Sequence, residues 1–261
     1  MKYNFKIIGL IVILFFIAQL IGLYVVNHYN QTDLPYEIER PQFEESTSYI
    51  PISIMILLAT GIALLLIRFR ATRLWKIWFF IGISFALLIS FSSFIPELIA
   101  LILAVVLAGI KVFKPNYIIH NLTEVFMYGG LAAIFVPVLS LTSIFILLAI
   151  ISVYDAIAVW KTKHMIKLAK FQSNIKVFAG LLIPYGKNKT AILGGGDIGF
   201  PLMFAGTILK VSGILDSLLI AVFSTLALGV LLYYAKKNKF YPAMPFLSAG
   251  CLAGYLASLI I

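Results

Sequence analysis

Two aspartates within long apolar stretches are the residues best suited to chemistry in this sequence. Asp155 lies shortly before Trp160, at the end of one apolar stretch, and Asp197 lies near the start of the next. An ionised aspartate inside a membrane costs at least ~2.5 to 3.5 kcal/mol, so its retention indicates a function. Two carboxyls that lie close together cannot both ionise and instead hold one proton. Such a pair can activate water and protonate a leaving amine, which is the chemistry of an aspartic protease.

The two aspartates are expected to lie at the same depth in the membrane. Asp155 is roughly 7 to 8 Å from the inner boundary of a helix that runs inward, and Asp197 is roughly 9 Å into the next helix, which runs outward. Neither helix carries a lysine or arginine within the membrane that could neutralise these acids. The two carboxyls can therefore meet and share a proton, provided that both face the interior of the bundle.

Several residues beside the aspartates can give a substrate access to them. The glycines Gly194, Gly195 and Gly196 immediately precede Asp197, and Gly199 and Pro201 follow it. This composition loosens the helix where another backbone would have to approach. Tyr154, next to Asp155, carries a hydroxyl that can orient water or a carboxyl, and a role in packing has equal weight.

The composition identifies the class of protein that must position these acids. The chain has 261 residues, of which 62% are hydrophobic and only 11% are charged, which excludes disorder and an ordinary soluble domain. The one cysteine, Cys251, excludes an internal disulfide framework, and the three histidines show no metal-ligand spacing. We therefore expect a membrane protein with no metal and no cofactor.

Long apolar runs predict an all-α, polytopic membrane protein that forms a single transmembrane domain over residues 1–261. A β-barrel is excluded because the runs lack alternating polarity. Pro137 and Ser140 suggest a turn that divides one overlong stretch into two helices. The nine predicted spans are about 7–26, 50–67, 74–94, 97–113, 123–139, 142–160, 191–209, 213–234 and 242–261.

The distribution of charge predicts the orientation of these spans. If the amino terminus is cytoplasmic, all of the 20 lysines and arginines except Arg40 and Lys210 face the cytoplasm, as the positive-inside rule requires. With nine spans, the carboxyl terminus is then extracellular, and the protein is expected in the cell membrane. The net charge of +10 needs no nucleic acid to explain it. The cytoplasmic loop 161–190 contains an apolar stretch, 177–183, that either lies on the membrane surface or folds back under the bundle.

Three short motifs resemble those of the presenilin and signal peptide peptidase family of intramembrane aspartyl proteases. They are Tyr154-Asp155, Gly194-Gly195-Gly196-Asp197 and Pro242-Ala243-Met244, which correspond to Y-D, G-x-G-D and P-A-L in the family. Their order matches, and so does their placement on the sixth, seventh and ninth spans. Gly195 occupies the variable position, and Met244 replaces the usual leucine in a volume-conserving exchange.

The resemblance implies a function and assigns roles. Asp155 and Asp197 would be the catalytic pair, with Pro242, Ala243 and Met244 beside them to shape the site and hold substrate. The segment from Lys187 to Leu193 would pair in extended form with an unwound substrate, which is expected to be a single-span transmembrane protein. The resemblance suggests a microbial, archaeal homologue; no accessory subunit is implied, and a homo-oligomer is compatible with the sequence.

Two other functions and one structural explanation compete with this interpretation. A prepilin or preflagellin peptidase also has a G-x-G-D aspartate in a membrane, but such enzymes lack the Pro-Ala-Leu motif. A proton-coupled transporter also uses paired intramembrane acids and broken helices, although no inverted repeat is visible here. Finally, both acids could be structural and hydrogen-bonded to the backbone.

Overall fold

The part of the chain that the structure describes forms a bundle of helices and one small β-hairpin. The computed structural model describes residues 3–69, 71–162, 168, 171–172, 177–185, 189–236 and 239–260. The chain is mostly helical, at 77%, and its described elements are α1 (Phe5–Tyr29), α2 (Tyr49–Arg68), α3 (Thr72–Ser92), α4 (Glu97–Phe113), α5 (Tyr117–Phe135), α6 (Leu141–Ala156), β1 (Gly180–Tyr185), β2 (Lys189–Gly194), α7 (Gly195–Ser212), α8 (Ile214–Tyr234) and α9 (Met244–Ser258).

Six segments among the described residues are long and apolar enough to cross a membrane. They are Phe5–Tyr29, Tyr49–Arg68, Thr72–Ser92, Tyr117–Val138, Leu141–Lys161 and Ile214–Tyr234. The remaining helices α4, α7 and α9 have 17, 18 and 15 residues. Large apolar side chains such as Leu58 and Ile102 are 60% and 57% exposed, as expected where the solvent is hydrocarbon. The chain is therefore a multi-pass membrane protein.

The centre of the bundle is formed by α1, which packs against α5, α7 and α8. On one side α3 packs against α4 and α5, and on the other α9 packs against α8 and α6. Burial of apolar side chains drives little association between helices in lipid, so the helices depend on close packing. Small residues permit that close approach. Gly130 of α5 lies directly against the backbone of Ala86 in α3, and any side chain would separate the two helices.

Capping side chains set the boundaries around α5 and α6. Asn116 caps α5 by accepting a hydrogen bond from the Ile118 N–H at 2.8 Å. After α5 the chain passes through a 3₁₀ turn, Val136–Val138, and Ser140 caps α6 by accepting from the Ser143 N–H at 3.1 Å. A turn of π-helix, Ile157–Lys161, follows α6.

The structure corrects the prediction that all regular elements are helical. The seventh helix was expected to begin near residue 191, but α7 begins at Gly195, because Lys189–Gly194 pair in antiparallel register with Gly180–Tyr185. Asp197 is consequently the third residue of its helix and not the sixth or seventh. The apolar stretch ahead of the hairpin packs into the bundle, since Val177 and Phe178 are 1% and 3% exposed.

Part of the loop 161–190 is not described, and the fifth helix begins earlier than predicted. The loop residues outside the described ones are 163–167, 169–170, 173–176 and 186–188, and they include Lys187, the first residue of the segment expected to pair with substrate. The fifth helix was expected to begin near residue 123 but begins at Tyr117, because Asn116 caps it there. Glu124 therefore lies within the helix, where it is fully buried.

Replacement of Gly130 by alanine is expected to destabilise the bundle by about 1 to 3 kcal/mol, as overpacking does. The new Cβ would collide with the carbonyl oxygen of Ala86, a backbone atom that cannot turn aside. Gly82→Ala is the matched control because its Cβ would meet nothing within 4 Å. Thermal unfolding in detergent measures the difference, and equal melting temperatures for the two variants would contradict the close α3–α5 contact.

Candidate active site

Asp155 is the penultimate residue of α6 and is held by the start of α9. The Met244 N–H donates to its Oδ2 at 3.1 Å, and the Ala243 backbone is a second hydrogen-bond partner. Pro242, Ala243 and Met244 are all buried. Ser152 and Ser248 join the same two helices through a hydrogen bond of 2.6 Å between their hydroxyls. The Pro-Ala-Met segment therefore lies against Asp155 across a sequence separation of almost ninety residues.

Asp197 lies in the first turn of α7, and its carboxyl is held by the residue that caps that helix. The Gly194 N–H donates to its Oδ2 at 3.2 Å. Asp197 also interacts electrostatically with Asp155. Two carboxyls from consecutive helices therefore influence each other, and each accepts a hydrogen bond from a backbone N–H.

Tyr154 contacts α2, and Leu193 is buried in the hairpin. The Tyr154 hydroxyl donates to Thr60 Oγ1 of α2 at 3.4 Å, so this side chain links α6 to α2. Leu193 is 4% exposed and lies opposite Leu181 in the hairpin. Leu193 therefore fixes the hairpin on the bundle through burial of its side chain.

The three glycines before Asp197 have different surroundings. A Cβ on Gly194 would lie 3.2 Å from Asp197 Oδ2, and one on Gly196 would lie 3.3 Å from the ring of Phe200. A Cβ on Gly195 would lie only 2.5 Å from the hydroxyl of Tyr128. At the variable position of the motif, the space that a side chain on residue 195 would need is therefore filled by Tyr128, which reaches it from α5.

Side chains of α5 cover the outer edge of β1. The Gly180 N–H donates to Glu124 Oε2 at 2.7 Å, and Nε2 of His120 donates to the Gly180 carbonyl at 2.8 Å. Asn121 continues the pattern: its amide accepts from the Leu182 N–H at 2.9 Å and donates to the Leu182 carbonyl at 2.8 Å. The polar side chains of α5 thus replace a third strand.

On the opposite edge of the hairpin, along β2, no described residue hydrogen-bonds the backbone of Ile192. In an antiparallel pair, successive residues turn their backbone groups alternately toward and away from the partner strand. Leu182 turns its groups outward to α5, so its register partner Ile192 turns its own N–H and C=O to the other edge. Ile192 is 37% exposed. An extended peptide could add there as a further strand.

The sequence did not identify the ionisable residues on α4 and α5 that pack behind the hairpin. Lys111 forms an ion pair with Glu124, which also accepts from the Tyr128 hydroxyl, and the exposures of Lys111, Glu124 and Tyr128 are 1%, 0% and 4%. Their signal in the sequence is a charged residue within an apolar run. It was missed because the predicted spans ended near both Lys111 and Glu124.

Gln19, in the middle of α1, was missed as well. Its amide donates to the Ile198 carbonyl at 3.0 Å, one residue after Asp197, while its own carbonyl oxygen is buried without a partner among the described residues. No pattern in the sequence predicts a contact between residues so far apart.

The described residues contain no cluster of three or more His, Cys, Asp or Glu side chains that could hold a metal ion.

Comparison with known proteins identifies both a family and a fold. A sequence model of the family described as signal-peptide peptidase, presenilin aspartyl protease matches residues 12–261. Among curated protein sequences, none matches the chain significantly.

Two solved structures of a presenilin family intramembrane aspartate protease share the fold. The structure in space group C222 has a TM-score of 0.72 and 22% identity, over 97% of this chain and 98% of that one. The structure in space group P2 has a TM-score of 0.69 and 22% identity, over 96% of each chain.

Replacement of Gly195 by alanine is expected to displace Tyr128 and lower stability by about 1 to 3 kcal/mol. Gly199→Ala on the same helix is the matched control, because its Cβ would meet the Tyr128 ring at an ordinary 3.6 Å. Thermal unfolding, with hydrogen exchange of the hairpin amides, measures the effect. If Gly195→Ala were as stable and as well protected as Gly199→Ala, the contact between Tyr128 and the start of α7 would be refuted.

Proposed function

Because the chain belongs to the signal-peptide peptidase and presenilin aspartyl protease family, we propose that Asp155 and Asp197 are the catalytic pair of this aspartic endopeptidase. The family acts on transmembrane substrates within the bilayer. The observation that carries the assignment is that α6 and α7 pack together and that each aspartate carboxyl accepts a backbone N–H, Asp155 from the start of α9 and Asp197 from the cap of α7. A purely structural role would not require two acids at one place in the membrane.

The chemistry follows from a proton shared by the two carboxyls. The ionised member takes a proton from water, which attacks the peptide carbonyl carbon, while the protonated member hydrogen-bonds the carbonyl oxygen. As the C–N bond breaks, a carboxyl donates a proton to the leaving amine. All the groups that this mechanism requires are supplied by one chain and one water molecule, so it needs neither a cofactor nor an accessory subunit.

The residues around the pair are assigned to shaping the site. Met244 and Ala243 hold Asp155 through their backbone, and Pro242 leads the chain into this position. Gly194 holds Asp197 in the same way. Tyr154 keeps α2 beside the site through its hydrogen bond with Thr60.

The substrate is proposed to be a single-span transmembrane protein that unwinds and adds to the open edge of β2. A helical substrate hides its peptide bonds, and once unwound its N–H and C=O groups must be paired again within protein. Covalent continuity supports this location, because β2 leads directly into the turn of α7 that carries Asp197. The edge of β1 is already covered by α5.

The proposed topology has nine membrane spans, with the amino terminus cytoplasmic and the carboxyl terminus extracellular. The described residues support this count through their nine helices, although α4, α7 and α9 are short. Family membership does not favour the alternatives, a prepilin or preflagellin peptidase and a proton-coupled transporter. A homo-oligomer is compatible with this assignment but is not required by it.

Asp155→Asn and Asp197→Asn are each expected to reduce hydrolysis by at least about 10²- to 10⁴-fold, because an amide cannot exchange the proton. The measurement is cleavage of a single-span reporter peptide in proteoliposomes. Asp216→Asn, in the first turn of α8, is the matched control and should retain activity. Retained hydrolysis in either catalytic variant, with unchanged thermal unfolding, would falsify the assignment of the pair.

Ile192→Pro tests the open strand edge. Proline removes the N–H that faces this edge without removing a bond to β1, and edge strands tolerate proline. We expect kcat/KM to fall by about tenfold, the effect of one lost hydrogen bond to the substrate. Ile192→Ala keeps the N–H and is the control. Equal losses in the two variants would show that the side chain, and not the backbone edge, contacts the substrate.

A further inference from the structure

A buried polar cluster behind the hairpin has no role in the chemistry described so far. It consists of Lys111 on α4 and of His120, Glu124 and Tyr128 on α5, and it is referred to below as the α4–α5 cluster. All four side chains are at most 5% exposed, although three of them carry or can carry a charge. One Glu124 oxygen pairs with Lys111, and the other accepts from the Tyr128 hydroxyl and from the Gly180 N–H.

Stability alone does not explain such a cluster. Removing two charges from water costs several kcal/mol per ion, and apolar residues of similar size often replace a buried ion pair with no loss of stability. A buried ion pair with all its hydrogen bonds made does, however, fix the groups that it contacts in one arrangement.

The group that the α4–α5 cluster fixes is the first residue of β1. Gly180 has both of its backbone groups bound by this cluster, the N–H by Glu124 at 2.7 Å and the carbonyl by His120 at 2.8 Å. Its φ of +133° lies in a region that other residues rarely adopt, and a Cβ here would strike the Leu193 carbonyl. The backbone conformation of this residue is therefore set by the cluster and by the strand opposite.

A short series of backbone contacts leads from Gly180 to the proposed catalytic carboxyl. Gly180 lies opposite Gly194 in the register, and the Gly195 N–H donates to the Ala179 carbonyl at 3.1 Å. Gly194 in turn donates its N–H to Asp197. A shift of Gly180 would thus move the residue that holds the Asp197 carboxyl.

Tyr128 provides a second, shorter route from the cluster to the same helix. Its hydroxyl is bound by Glu124, and its ring lies against Gly195 and Gly199. Two independent contacts therefore connect Glu124 to the first turn of α7, one through the hairpin and one through Tyr128.

We propose that the α4–α5 cluster is a positioning unit for proteolysis, which holds the base of the hairpin and the first turn of α7 so that Asp197 meets Asp155. This inference rests on the proposed function of the two aspartates. Its members touch neither the substrate nor the reacting atoms, so they are positioning residues and not catalytic ones. Glu124 is the central member, because it contacts Lys111, Tyr128 and Gly180 at once.

Two double variants separate the effect of the hydrogen bond that anchors the Gly180 N–H to residue 124 from the effect of the Lys111–Glu124 ion pair. Lys111→Met with Glu124→Gln removes the ion pair but keeps a carbonyl oxygen that can accept from Gly180 and Tyr128. Lys111→Met with Glu124→Leu removes the ion pair and the acceptor together. Both are neutral replacements at the same two positions, so they differ chiefly in whether Gly180 remains anchored.

The expected results are specific to positioning. The glutamine variant should hydrolyse a single-span reporter peptide in proteoliposomes with a kcat close to that of the wild type. The leucine variant should lose about 10²-fold in kcat, the effect of misplacing a catalytic group by about 1 Å, with a smaller change in KM. Hydrogen exchange at the hairpin amides should accelerate only in the leucine variant. All assays are made well below the melting temperature of each protein.

Three outcomes would contradict either the positioning unit or the proposed function of the two aspartates, on which it rests. If Asp197→Asn is inactive while both double variants match the wild type in kcat and exchange, the catalytic pair stands and the positioning unit is overturned. If the glutamine variant is as inactive as the leucine variant, the anchor is also refuted. If Asp197→Asn remains active, the proposed function itself fails, and hairpin exchange alone then reports on the anchor.

Tyr128→Phe keeps the test decisive should the leucine variant not fold. The ring stays against Gly195 and Gly199, and only the hydroxyl that Glu124 binds is lost. A drop in kcat at unchanged KM supports the positioning unit. A kcat at the wild-type value overturns the role assigned to Tyr128 in the unit, and unchanged exchange at the hairpin amides would then refute its coupling to the hairpin as well.

Discussion

The need to pair every backbone N–H and C=O group within protein is the constraint on which this structure depends. In a membrane, helices meet this requirement by themselves, but an extended segment does not. The hairpin Gly180–Tyr185 and Lys189–Gly194 meets it between its two strands and, on one side, with His120, Asn121 and Glu124 of α5. At Ile192, on the other side, the backbone has no such partner among the described residues, and this strand leads directly into the turn of Asp197. The proposed substrate backbone would supply the missing partner at this edge.

The elements that the sequence predicts well are those with a local physical cause. The division between α5 and α6 can be predicted because Pro137 lacks an N–H and Ser140 supplies a cap. The two aspartates stand out because a charge in an apolar run is costly wherever the run lies in the fold. Such signals depend on residues that are neighbours in the chain.

The elements that the sequence could not predict have causes distant in the chain. The apolar run predicts a helix from about residue 191, and only pairing with Gly180–Tyr185 makes Lys189–Gly194 a strand. Glu124 read as a residue at a helix end, because the cap at Asn116 that lengthens α5 was not recognised. The contact between Gln19 and the Ile198 carbonyl joins residues 179 apart, and periodicity contains no information about it.

The position of both aspartates at helix ends explains how their carboxyls are held. Within a helix every N–H is already used by the carbonyl four residues before it, so only the N–H groups at a helix start are free to bind a carboxyl. Gly194 is the cap of α7, and Met244 is the first residue of α9. The N–H groups that hold Asp197 and Asp155 come from these two positions. Asp197 is bound by the start of its own helix, whereas Asp155, at the end of α6, requires the start of another. The Pro-Ala-Met segment therefore begins α9 at the point where a free N–H can reach Asp155.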